Sequence, residues 1–263
     1  MRIAVLGGGV MGEALVIGLQ RQHPDLDLVV AEKRADRAAD LQARLGVGIS
    51  PLEEACAGAD AVIVVVKPQD VRAVAAAIAP TIAPGTLVIS IAAGITTASL
   101  EDVLTGANVV RAMPNTPARI ESGVTGISAG AHCDPAALAT ARDLLASVGT
   151  VIEVPESLQD AITSVSGSGP AYLFALAEGM LAGAREVGLD GEVARTAVVQ
   201  TLLGAARLLE RTGEDPAVLR ANVTSPNGTT AAALAVFDAA GLQATIVSAI
   251  EAARDRSREL SSS

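Results

Sequence analysis

Tryptophan is absent from this 263-residue chain, and only one tyrosine and two phenylalanines are present. Aromatic side chains normally supply much of the bulk of a core. A chain that is still 50% hydrophobic must therefore fill its interior with aliphatic side chains and alanine. Cysteine is scarce too. Cys56 and Cys133 are too few for a disulfide framework and stand at no metal-binding spacing, which favours a reducing compartment and an ordinary packing role for each. The two histidines, His23 and His132, fall in no triad or metal spacing, and Gly167, Ser168 and Gly169 do not complete a nucleophile elbow. Hydrolase and metal chemistry are thereby excluded from the reading. Of 19 cationic residues only Lys33 and Lys67 are lysines, and the net charge is −10. With no basic stripe, neither a nucleic-acid backbone nor an anionic membrane is an expected partner.

Export signals are lacking as well. Met1 and Arg2 lead at once into an apolar strand and glycines, without the charged region, apolar run and cleavage site of a signal peptide, so a cytoplasmic location is expected. The longest uncharged stretch, Ala73 to Leu100, is broken by Pro80, Pro84, Gly85 and Gly94 and reads as helix end, turn and buried strand. The sequons at Asn222 and Asn227 have no secretory context and are taken as incidental.

What is present is a change of pattern near residue 155. Short apolar runs (Ile3 to Leu6, Leu28 to Ala31, Ala61 to Val66, Leu87 to Ile91, Val109 to Arg111) alternate with helix-length amphipathic segments, the punctuation of βαβ units. Runs such as Val62 to Val66 are apolar on both faces, as parallel strands covered by helices on each side require. Val124 to Ser128 and Val151 to Val154 extend the sheet in an unreadable direction, with a helix over Asp134 to Val148 between them. From Glu156 onward, alanine-rich segments with three-to-four-residue apolar spacing predict about five helices, broken at 188–191, 213–216, 225–228 and Gly241, the first interrupted near Gly167 to Pro170. The fold class is therefore α/β: a Rossmann-like, doubly wound, mostly parallel sheet over residues 1–155, then an all-α domain over 156–263. The terminal Ser261 to Ser263 is expected to be disordered. So alanine-rich a helical half lacks the bulk for a deep core of its own, which predicts a homodimer through this domain.

Gly7, Gly9 and Gly12, with Val10 and Met11 between them, form G-x-G-x-x-G directly after a strand and at the mouth of a helix over Met11 to Gln20. In this context Gly7 permits the tight turn, Gly9 lets the backbone approach a pyrophosphate, Gly12 lets helix and strand pack closely, and free N–H groups at the helix start favour the anion. Twenty residues on, Glu32 ends the second strand, where a carboxylate accepts hydrogen bonds from an adenosine ribose and favours NADH. Lys33 and Arg34 follow, and two cations at that turn suit the 2'-phosphate of NADPH. Both cofactors stay open. Lys67 and Pro68 follow the most apolar strand, and the carboxyl ends of parallel strands face the ligand crevice. The alternative for Lys67 is a strand-end lysine reaching for solvent.

Three further segments carry uncharged polar residues among glycine and proline: Arg111 to Pro117, Ser166 to Tyr172 and Val223 to Thr230. Together with the glycine fingerprint, Val66 to Pro68, and Ser90 to Gly94, they make the chain resemble the pyrroline-5-carboxylate reductases, in the right order from Met1 to about Leu260. The resemblance implies NAD(P)H-dependent reduction of the C=N bond of 1-pyrroline-5-carboxylate to L-proline. It also implies an intertwined helical dimer, often assembled into a ring of dimers, with each active site between one subunit's Rossmann domain and another's helices. Carried over, it assigns Ala93 and Asn115 to the cofactor, Asn115 beside the nicotinamide. It assigns Ser225, Asn227, Gly228, Thr229 and Thr230 to the substrate cradle, with the Thr230 hydroxyl nearest the ring nitrogen. Apart from the resemblance, Pro226, Asn227 and Gly228 break one helix and Thr229 begins the next, leaving backbone N–H groups free for a carboxylate. The chain departs from the family at Asn227, where glycine is usual, though asparagine tolerates the left-handed conformation.

Two other readings need different residues. A Rossmann 3-hydroxyacid dehydrogenase relies on a lysine or histidine in its helical domain, and this chain has neither after His132. A dinucleotide sensor without turnover would keep the fingerprint but has no use for the loop from Ser225 to Thr230.

Overall fold

The computed structural model of the chain describes residues 1–261. Its first part is a single sheet of β1 (Arg2–Leu6), β2 (Asp27–Ala31), β3 (Gly48–Ile49), β4 (Ala61–Val64), β5 (Leu87–Ser90), β6 (Asn108–Met113), β7 (Gly123–Ala129) and β8 (Gly149–Glu153). The order across the sheet is β3-β2-β1-β4-β5-β6-β7-β8. Strands β1 to β6 are mutually parallel, β7 runs antiparallel to β6, and β8 is parallel to β7. The direction of the last two strands, which the sequence leaves open, is thus settled. Strand β3 has no counterpart among the apolar runs because two residues are too short to show alternation.

Helices α1 (Val10–Gln22), α2 (Ala35–Leu45), α3 (Leu52–Cys56), α4 (Pro68–Ile78), α5 (Thr97–Glu101) and α6 (Pro135–Ala146) connect the strands. The period-2 pattern of β1 splits its side chains between two cores. Ile3 and Val5 pack with Leu15 and Leu19 of α1 and Leu144 and Leu145 of α6. Ala4 and Leu6 pack with Val71, Ala75 and Ile78 of α4. Helices therefore cover both faces, as the doubly apolar strands require. Cys56 is fully buried and Cys133 half-buried, and burial pushes both thiols up to about 11, so neither is a thiolate at neutral pH.

The later helices are α7 (Gln159–Ile162), α8 (Gly169–Glu186), α9 (Gly191–Thr212), α10 (Pro216–Asn222), α11 (Thr229–Ala239) and α12 (Leu242–Ser261), with a wide π turn over Thr163–Gly167 between α7 and α8. That turn is the interruption expected near Gly167. Caps fix the breaks: the Asp190 and Asp215 carboxylates accept the N–H groups of Gly191 and Ala217, and Gly213 ends α9 in the left-handed region. Ser261 is the last residue of α12, and residues 262–263, the rest of the segment expected to be disordered, lie outside the described part.

By packing, the chain divides into two compact units: Met1–Ser168 together with residues from Ala253 onward, and Gly169–Ala252. Within the first unit, the Ser257 hydroxyl donates to the Asp160 carboxylate at 2.7 Å. Within the second, only Ala194 and Val198 are buried hydrophobic residues, while Leu173, Phe174, Val193, Leu203 and Phe237 among others stand exposed. Among the described residues no single helix is long and apolar enough to cross a membrane. Thr229–Ala239 and Leu242–Leu260 meet that test only as a pair bent by 52°.

Candidate functional site

The strand order reverses between β1 and β4, and the crevice at the carboxyl ends of a doubly wound sheet opens at such a point. A cleft of about 1010 Å³ lies there, lined from β1 by Gly7, Gly9, Val10 and Met11, from β2 by Glu32, Lys33 and Arg34, from β4 by Lys67 and Pro68, and from β5 by Ala93. Of the cofactor residues expected from the sequence, Gly12 and Asn115 alone do not line it. Strand β4 stops at Val64, two residues before its predicted end, so Lys67 is not a strand residue but the N-cap of α4, with Pro68 in the first turn.

The glycine loop fits a dinucleotide. Gly7 has φ 113, and a Cβ at Gly12 would run into the Gly7 carbonyl oxygen, so neither position accepts a side chain. At Gly9 a Cβ would meet nothing within 4 Å, so that face of the loop is open toward a ligand. Gly9 is the N-cap of α1 and supplies no side-chain acceptor, which leaves the first-turn N–H groups for an anion.

Glu32 follows β2 directly. Its Oε2 accepts the Gly8 N–H at 2.9 Å, and its Oε1 accepts the Arg34 N–H at 2.9 Å and Arg34 Nε at 3.4 Å. Burial pushes this carboxyl up, but the two backbone donors and the Arg34 guanidinium outweigh it and hold it below the ordinary 4.5. Lys33 is largely exposed, 3.7 Å from Asp70.

Asn115 is buried, and its amide is spent inside the protein: Oδ1 accepts the Val124 N–H at 2.9 Å, and Nδ2 donates to the Ser166 carbonyl in the π turn at 3.1 Å. Its neighbour Thr116, with Arg119, faces the cleft instead. The sequence singled out neither. Their segment lies in the Arg111 to Pro117 motif and its sequel, and which residue of a short 3-10 turn faces a cleft depends on long-range packing. Ser50, Pro51, Leu52, Asp70, Ala73 and Val74 also line the cleft without having been anticipated.

In the second unit, α11 starts at Thr229 with Gly228 as its N-cap and no side chain capping it, so the N–H groups of its first turn are available. Asn227 has φ 59, the left-handed conformation that asparagine tolerates. A Cβ at Gly228 would strike the Ser225 hydroxyl, which sits folded over that residue. Ser225 and Thr229 are exposed and Thr230 half-buried. The loop thus gathers three hydroxyl side chains and an uncapped helix start, the donors that a carboxylate needs.

A Rossmann sheet with an open glycine loop at its switch point defines a nicotinamide-dinucleotide oxidoreductase. Residues 2–94 match the family of coenzyme F420-dependent NADP oxidoreductases, and residues 156–260 match pyrroline-5-carboxylate reductase dimerisation. A pyrroline-5-carboxylate reductase of Pseudomonas aeruginosa is 42% identical over 98% of this chain and 96% of its own. The structure of one from Coxiella burnetii superposes with a TM-score of 0.93 at 35% identity, covering 98% of both chains. That of a Plasmodium falciparum pyrroline carboxylate reductase with NADP bound does so with 0.89 at 25% identity, covering 99% and 98%. The chain belongs to the pyrroline-5-carboxylate reductase family. It is an NAD(P)H-dependent oxidoreductase, and the match of its helical part to a dimerisation domain supports homo-oligomerisation.

Proposed function

We infer that this chain reduces 1-pyrroline-5-carboxylate to L-proline, the last step of proline biosynthesis. The observation that carries the reading is that its likeness to reductases of this name spans 98% of the chain, the helical part included, rather than the dinucleotide fold alone. A bound NAD(P)H supplies the hydride for the imine carbon. The protein's part is placement, which can lower a barrier by roughly 7 to 11 kcal/mol when two reactants are held in near-attack geometry.

The proposed dinucleotide residues are Gly7, Gly9, Val10, Met11, Gly12, Glu32, Lys33, Arg34, Lys67, Pro68, Ala93 and Asn115. Gly12 and Asn115 act by shaping the loops, since their own atoms do not face the cleft. Lys33 and Arg34 are proposed to hold a 2'-phosphate, making NADPH the preferred donor; the engagement of both Glu32 oxygens with backbone donors supports this. Ser225, Asn227, Gly228, Thr229 and Thr230 are proposed to bind the substrate, its carboxylate on the amides of α11 and its ring nitrogen near Thr230 Oγ1, which donates or relays the proton. The functional division is proposed at 155/156, where the dimerisation match begins. Dimerisation through 156–263, further assembly into a ring of dimers, and a cytoplasmic location complete the proposal.

The test is the loss of absorbance of reduced nicotinamide on adding pyrroline-5-carboxylate, with NADPH and NADH at matched concentrations. Turnover is expected with both and faster with NADPH. Absence of turnover from a protein that binds the dinucleotide would overturn the substrate assignment.

A further inference from the structure

Gly8 is the one glycine of the opening triplet that the fingerprint does not require, yet it is the most enclosed. A Cβ there would lie 2.5 Å from Leu41 Cδ1 of α2 and 3.1 Å from Glu32 Oε2. Its peptide groups are held on both sides by opposite charges. The N–H donates to Glu32 Oε2 at 2.9 Å, and the carbonyl accepts from Arg37 Nε at 2.8 Å. Both charged side chains are largely buried, 7% exposed for Glu32 and 18% for Arg37.

Arg37 is itself fixed from two elements. It pairs with Glu13 in the first turn of α1 and with Asp40 of α2 at 2.6 Å. Arg44 completes the set, 2.6 Å from Glu13 and 2.8 Å from Asp40. Glu13 would otherwise place a negative charge at the helix start that receives the pyrophosphate, where two anions would repel each other. The two arginines offset that charge and tie α1, the glycine loop and α2 together.

We propose that Glu32 and Arg37 are paired positioning residues that clamp the Gly8 peptide and so aim the glycine loop at the pyrophosphate, and that Glu32 does not choose between NADH and NADPH. This rests on the dinucleotide reading given above. In the usual arrangement a carboxylate at this place accepts the adenosine ribose hydroxyls and discriminates against a 2'-phosphate. Here its oxygens accept the Gly8 N–H, the Arg34 N–H and, at a longer 3.4 Å, Arg34 Nε, and the Gly8 bond is common to both dinucleotides. The choice then falls to Lys33 and Arg34.

The experiment is a set of dissociation constants for NADPH and NADH, without substrate, for the wild type, Glu32→Gln, Arg37→Gln and the double variant. Glutamine at 32 keeps the shape but replaces one acceptor oxygen with an amide donor. Each single variant is expected to weaken both cofactors by roughly tenfold or more, the worth of a hydrogen bond to a charged group. The NADPH:NADH ratio should stay within about threefold of wild type, and the double variant should lose less than the product of the two single losses. Should Arg37→Gln fail to fold, Arg37→Lys keeps a cation for Glu13 and Asp40 but lacks the Nε donor, and the same pattern is expected of it. Selective loss of NADH in Glu32→Gln, or single variants that bind both cofactors like wild type, would overturn the clamp. A wild type that binds neither dinucleotide would overturn the cofactor reading and the clamp with it, whereas binding without turnover on the imine would sink only the substrate assignment.

Discussion

The two units of this chain bury apolar surface in different ways. In the first, whole strands vanish from solvent: Ile3, Val5, Val62, Ile63, Val88 and Val109 are all 0% exposed, between helices supplied by the same chain. In the second, 84 residues from Gly169 to Ala252 bury only Ala194 and Val198, and leave Leu173, Phe174, Leu203 and Phe237 between 39% and 64% exposed. Helices so apolar on their outer faces are stable in water only when another surface covers them. One unit has its core inside the chain, and the other leaves most of its apolar side chains on its surface, the face that the proposed dimerisation would cover. The scarcity of aromatic residues has opposite consequences in each. A sheet sandwiched between helices can be filled by valine, isoleucine and alanine, but an alanine-rich helix pair cannot enclose enough on its own.

The strongest way to break this contrast is to put a charge on the exposed apolar face. Leu203→Glu on α9 is expected to dissociate the oligomer and melt the helical unit while the Rossmann unit stays folded, read by light scattering and by the number of unfolding transitions. A variant that remains oligomeric would refute the account of that face. Next in size, Ile63→Ala in the sheet should cost about 2 to 5 kcal/mol of stability, independent of protein concentration. The transition of the helical unit in the wild type should rise with concentration, as assembly coupled to folding demands. Calorimetry at several concentrations separates the two, and a Rossmann transition that shifts in parallel would erase the distinction.

Thr230→Ala moves from stability to chemistry. Loss of a transition-state hydrogen bond in the helical unit should lower kcat by roughly tenfold to a thousandfold, with NADPH affinity unchanged because the dinucleotide residues belong to the other unit. An unaltered kcat would remove Thr230 from proton transfer. The smallest effect is one of pH. For Glu13 and Glu32, burial raises the carboxyl pKa, but hydrogen bonds and nearby arginines lower it more, below 4.5 in the folded state. Their stabilisation is thus present above about 4.5 and lost as pH falls through the depressed folded values. The Rossmann transition should drop by roughly 2–4 °C more in wild type than in Glu13→Gln across that window, since the variant has no such charge to lose.

Much of this was legible in the residues. The glycine spacing, the apolar strands and the helix breaks at 188–191, 213–216, 225–228 and 241 are local signals, written in a few adjacent positions. What escaped depends on contacts far along the chain. The antiparallel turn of β7 against β6 is decided by pairing, not by composition. Glu32 carries the side chain expected of a ribose acceptor, but its partners are set by where the Gly8 loop returns, 24 residues earlier. Asn115 lies in the expected motif, yet its amide reaches Ser166, 51 residues away, and its neighbour Thr116 faces the cleft instead. A motif locates a segment, and only packing decides which of its side chains face the ligand.

The bond between Ser257 and Asp160, 97 residues apart, bears on how the chain comes off the ribosome. Synthesis is vectorial, and domains generally fold as they emerge. The Rossmann unit nevertheless takes its closing piece from residues beyond 252, so it stays unfinished while the whole helical unit is being made. Residues from Ala253 onward therefore reach their places in the first unit only after all of Gly169–Ala252 has been made.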